Sequence, residues 1–139
     1  MALSQLVSCI MPTGNRRRFV GQSIWYFLRQ DHSQKELIVL DDDEDVIADL
    51  VPNDERIRSV RLDRRLSLGG KPNLECELSM GSLSAHWDDD DWMSAERLSI
   101  QVASPIGKRC SYLWRTPPAV LQPRCRSGLD FPHSTRFRA

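Results

Sequence analysis

The sequence predicts an α/β fold, a mostly parallel sheet with helices on both faces. Three observations point to it. Two short, β-branched apolar runs, "LVSCIM" at 6–11 and "ELIVLDD" at 36–42, are closed by Pro12 and by acid, which suits buried strands. Between them, apolar residues recur at helical spacing. Further on, strand-like and helix-like segments keep alternating, and strands separated by helices pair in parallel and are covered on both faces.

Taken in order, strand one is Leu6 to Met11. From Arg17 to Asp31, Val20, Ile24, Phe27 and Leu28 form one face of a helix. Strand two is Glu36 to Asp42, running into acid at its C-terminal end. "RIRSVRLD" at 56–63 alternates and reads as a third strand, at an edge. After "SLGG", a short helix is expected over Pro72 to Met80, with proline near the first turn, where its missing N–H costs least. "SLSAHW" at 82–87 is the fourth strand, and "MSAERLSIQVAS" at 93–104 a helix that stops before Pro105.

At 139 residues the chain is one domain or a piece of one. Its formal charge is zero, so no global field points to nucleic acid or membrane. The average hides a split: residues 1–106 carry 18 acids against 12 Lys/Arg, whereas 107–139 carry seven Lys/Arg against Asp130 alone. Four of the eight prolines also fall in that last stretch. The expected organisation is thus a domain over 1–106 and an irregular, basic, proline-rich tail over 107–139. The tail has few interleaved aromatics and no nucleic-acid module. No apolar run is long enough to span a membrane and no signal-peptide layout opens the chain, so a cytoplasmic protein is expected. Cys9, Cys76, Cys110 and Cys125 form no CxxC pair and read as reduced structural thiols.

The polar groups cluster where strands end. Strand one ends in Thr13 and Asn15, strand two in "DDDED", and strand four in the run "DDDD" at 88–91. Ligands of open α/β sheets bind outside the carboxyl ends of the strands, and parallel strands bring these ends to one rim. Carboxylates crowded there raise one another's pKa unless a cation joins them. Hard oxygen donors of this kind suit Mg²⁺ or Mn²⁺ carrying a phosphorylated substrate.

In this order and at these intervals, "VSCIMPTGNR", "ELIVLDDDED", "GGKPN" and "AHWDDDDWM" resemble the N-terminal nucleotide-binding half of the family 2 glycosyltransferases, a GT-A, Rossmann-like fold. The resemblance covers about residues 5–104 and implies a sheet incomplete at its C-terminus. It implies a metal-dependent transferase, with Mn²⁺ or Mg²⁺, that moves a sugar from a nucleoside-diphosphate donor, a UDP-sugar, to an acceptor. Thr13 and Asn15 would line the nucleotide pocket, Asp42 would accept a hydrogen bond from the base, and Lys71 and Asn73 would lie near ribose and phosphate. Asp88 and Asp90 match the D-x-D pattern: Asp88 would face the ribose or metal-bound water, and Asp90 would ligate the cation. Asp89 and Asp91 would be less constrained, with Asp91 a cap for the following helix.

The sequence departs from the family in three places. Gly14 stands where an aromatic often stacks on the base, Glu44 replaces a permissive glycine, and Pro72 replaces an arginine. Each predicts weaker nucleotide binding. Trp87 and Trp92 are expected to pack, His86 to have a structural or supporting role, and at least two of Arg16, Arg17 and Arg18 to be solvated. No downstream carboxylate base is found for the acceptor. A truncated, non-catalytic remnant or nucleotide-binding module is therefore the alternative to an active transferase. From Gly107 onward, a frame displaced by one nucleotide can be written to spell a family-like continuation, so a frameshift origin is an open reading of the tail.

Overall fold

In a computed structural model, the structure describes residues 5–42, 44, 46–62, 74 and 77–104, together with the backbone of 113–115. Strands β1 (Val7–Thr13), β2 (Lys35–Asp41), β3 (Ile57–Arg61) and β4 (Leu83–His86) are joined by β5 (Leu113–Arg115) in one sheet of order β3-β2-β1-β4-β5. The first four pair in parallel, and β5 runs antiparallel to β4. Strand β3 lies at an edge, as its alternating pattern predicts. The short β5 lies within the stretch expected to be irregular. The remainder of 107–139 falls outside the described residues, as does most of the helix expected over Pro72 to Met80. Within that span Leu74, Glu77 and Leu78 have helical backbone.

Strand alternation divides the core between two faces. Val7, Cys9, Met11, Leu37, Val39, Leu83 and Ala85 meet Val20, Ile24 and Phe27 of α1 (Arg17–Leu28) and Leu98 of α2 (Arg97–Ala103). Ile10, Ile38 and Leu40 lie on the opposite face, under Val60 and Leu78. Because β1 and β2 are covered on both sides, nearly every residue in them is buried.

Helix α2 begins at Arg97, four residues later than the apolar pattern suggests, and its N-cap Glu96 makes no side-chain bond. A distant residue supplies the cap instead: Gln30 Oε1 accepts from the Leu98 N–H at 3.0 Å, while Gln30 Nε2 donates to Ser94 O at 2.6 Å. The end of α1 thereby fixes the start of α2.

Cys9 is free and fully buried, and burial pushes its thiol up to about 12. In the native chain Cys9 should resist Ellman's reagent at neutral pH and react only on unfolding. Mass spectrometry of the labelled chain checks this, and rapid native labelling of Cys9 would contradict the packing.

Candidate functional site

The sheet order reverses between β1 and β4, with β2 and β3 on one side and β4 on the other. A crevice is expected at the carboxyl ends of strands flanking such a reversal. Register sets what stands there. Thr13 is level with Asp41 across β1 and β2, so the residues that follow, Gly14 and Asp42, leave the sheet side by side. A Cβ built on Gly14 would lie 2.7 Å from Asp42 Oδ1. A side chain at 14 would enter by pushing the Asp42 carboxylate aside.

Across the reversal, Ile10 pairs with His86, and the Trp87 N–H donates to Ile10 O at 2.8 Å, carrying the acidic run along the end of β1. Thr13 Oγ1 donates to Asp89 Oδ2 at 2.9 Å. Arg16 Nη1 reaches the same run, 3.2 Å from Asp89 Oδ1 and 2.7 Å from Asp90 Oδ2. Asn15 makes this possible: its φ of 54° turns the chain sharply ahead of α1, and asparagine tolerates the left-handed region better than most residues. Asp42, Thr13, Asn15, Asp88 and Asp90 thus share the rim that carries the carboxyl ends of β1, β2 and β4. Lys71 and Asn73 lie outside the described residues.

Within the run the four aspartates differ sharply. Asp89, expected to be less constrained, is the buried one, held by Thr13 and Arg16. Asp88 is half-buried, and its Oδ1 lies 2.8 Å from His86 Nε2. This contact with His86 lowers the Asp88 pKa. Asp91 shifts the other way, raised by burial, by the negative charge of Asp88 and by sharing a hydrogen bond with it. Asp91 does not cap α2, which starts at Arg97 with Glu96 in the N-cap position. Asp90 is exposed, and Asp89 and Asp90 together raise the Arg16 pKa.

The arginines and tryptophans also separate. Arg17 forks onto Asp49 and donates to Val46 O, so two of the three arginines have partners and only Arg18, lying over the Phe19 ring, fits the solvated expectation. Trp87 is fully buried, as expected; it stands edge-on to Phe27 with centroids 6.0 Å apart and donates Nε1–H to Ser23 Oγ at 3.0 Å. Trp92 does not pack: it is 73% exposed beside the acidic run.

Comparisons with known proteins give the family and the fold. The chain is 29% identical over 112 residues to UDP-Glc:alpha-D-GlcNAc-diphosphoundecaprenol beta-1,3-glucosyltransferase WfgD of Escherichia coli, covering 78% of this chain and 44% of that protein. The chain spans less than half the length of the curated relatives it matches. Among solved structures it resembles the mannosyltransferase PcManGT from Pyrobaculum calidifontis in complex with GDP-Man and Mn²⁺. There the TM-score is 0.66 at 20% identity, over 75% of this chain and 34% of that one. It also resembles S. aureus TarS 1-349 in complex with UDP-GlcNAc, with a TM-score of 0.62 at 23% identity, over 70% of this chain and 30% of that one. Residues 8–108 match the sequence profile of glycosyl transferase family 2, a span that contains the three strand ends of the rim. On these grounds the chain belongs to glycosyl transferase family 2.

Proposed function

We propose that the rim is the donor site of a metal-dependent glycosyltransferase, and that this chain supplies the half that binds the nucleotide sugar. The observation that carries it is convergence. Asp42, Thr13 and the 88–91 run, remote in sequence, are tied together by the Gly14–Asp42 approach and the Thr13–Asp89 and Arg16–Asp90 bonds. Two of the structural neighbours were solved with nucleotide sugars, one of them with Mn²⁺ as well.

The residues suit a divalent ion. Magnesium-like ions are commonly held by one or two carboxylates plus substrate phosphates, not by an all-protein cage. Among the described residues no three ligand-type side chains form such a cage. Asp88 and Asp90 would hold the ion from the protein side. When bound there, the ion would stabilise the charge that develops on the leaving diphosphate. Asp42 would orient the base, Asp88 the ribose side, and Thr13 and Asn15 the loop between them; Lys71 and Asn73 would approach the ribose and phosphate. A UDP-sugar is the proposed donor, with the reaction in the cytoplasm.

Calorimetric titration of UDP and of GDP with Mn²⁺ tests the donor site. Mn²⁺-dependent binding of at least one nucleotide is expected, abolished by Asp90→Ala. Absent or metal-independent binding overturns the proposal.

A further inference from the structure

We propose that Arg16 is a positioning residue that occupies Asp90 as an internal counter-ion and must give it up when a divalent cation loads. This rests on the reading of Asp90 as a cation ligand. The three groups are built for exchange on one side only. The Asp89 side chain is 4% exposed and accepts from both Thr13 and Arg16, so the guanidinium keeps a buried anchor. The Asp90 side chain is 42% exposed and that of Arg16 49%, so their 2.7 Å contact faces water and can open without stranding either charge. One end of the bridge is fixed and the other is free to turn outward.

Position in the chain supports the assignment. The left-handed turn at Asn15 delivers Arg16 to the acids, whereas Arg17 is committed to Asp49 and Arg18 lies over Phe19. Among the described residues Arg16 is the arginine paired with the exposed member of the D-x-D pair. A cation arriving at Asp90 meets this guanidinium first. The apparent affinity for metal is therefore reduced by the stability of the Arg16–Asp90 contact, because binding must shift an existing equilibrium.

The test is a titration of the full chain with Mn²⁺ alone, following the free-ion signal by electron paramagnetic resonance. Arg16→Gln should tighten Mn²⁺ binding by roughly threefold to tenfold, the range an exposed, charge-assisted pair supplies. Arg16→Lys, which keeps a cation at the position, should stay within about twofold of the wild type. Asp90→Asn should weaken binding by about tenfold or more. If Asp90→Asn weakens binding but Arg16→Gln leaves it unchanged or weaker, the role of Arg16 is wrong and that of Asp90 stands. If Asp90→Asn has no effect, the reading of Asp90 fails and takes the inference with it. Should Arg16→Gln not fold, the Arg16 Nε–H resonance of the wild-type chain decides. It must shift as Mg²⁺ saturates Asp90, and a resonance indifferent to that saturation overturns the proposal.

Discussion

Asp89→Ala is expected to destabilise the folded chain by about 2–3 kcal/mol and to abolish Mn²⁺-dependent nucleotide binding. The buried carboxylate accepts from Thr13 Oγ1 and from Arg16 Nη1, so its removal leaves a buried hydroxyl at Thr13 without its acceptor. Arg16 is half exposed and can turn to water, which keeps the cost below that of breaking a fully enclosed ion pair. The larger consequence is geometric. Without Asp89 the end of β1 and the acidic run lose their direct side-chain tie, so the proposed donor site would have to be assembled by the ligand. Asp89→Asn, which can still accept from Thr13, should fall between wild type and alanine in both measurements. Urea unfolding followed by tryptophan fluorescence gives the first quantity and calorimetry the second. A stability loss below about 0.5 kcal/mol would show that Asp89 is not the anchor.

Glu36→Ala should cost more, about 3–5 kcal/mol. Glu36 is buried in β2 and accepts from Ser8 Oγ, from the Met80 N–H at 2.8 Å and from Arg58 Nη2 at 3.0 Å. The network continues outward: Arg58 Nη2 also donates to Leu78 O at 2.6 Å, and Ser8 Oγ accepts from the Gly81 N–H at 2.8 Å. Gly81 is confined to glycine here, because a Cβ would stand 2.5 Å from Leu6 O. One carboxylate thus joins β1, β2, β3 and the segment entering β4. Its removal leaves the Ser8 hydroxyl and the Met80 N–H without their acceptor and takes one partner from Arg58, whose buried Nε has no hydrogen-bond partner among the described residues. Glu36→Gln, which fits the space without the charge, should lose roughly half as much. The denaturant midpoint checks both variants, and equal stability of Glu36→Ala and wild type would exclude the network as a source of stability.

Much of the fold was legible because buried parallel strands leave unbroken apolar runs, and α1 carries its core-facing residues at helical spacing. The rim was legible for a related reason: polar residues directly after such runs must emerge at the strand ends. The hierarchy within "DDDD" was not. Four identical letters carry no sign of which faces inward; that depends on how β4 meets β1, a property of register between segments 76 residues apart. The same limit hid Ser8 and Glu36, polar letters whose partners lie in other strands. It also hid the difference between Trp87 and Trp92, and which of three consecutive arginines turns back to the acids. Helix α2 begins later than its apolar pattern suggests, with a cap from Gln30, a residue no local pattern connects to it. Strand β5 is three residues long, too short for any periodicity to register.

The close approach of Gly14 to Asp42 makes these two positions a single heritable unit. A ring restored at 14 would displace the Asp42 carboxylate, the group proposed to orient the base. The outcome of a bulkier residue at 14 therefore depends on where the Asp42 carboxylate can turn, so the two positions should be varied together.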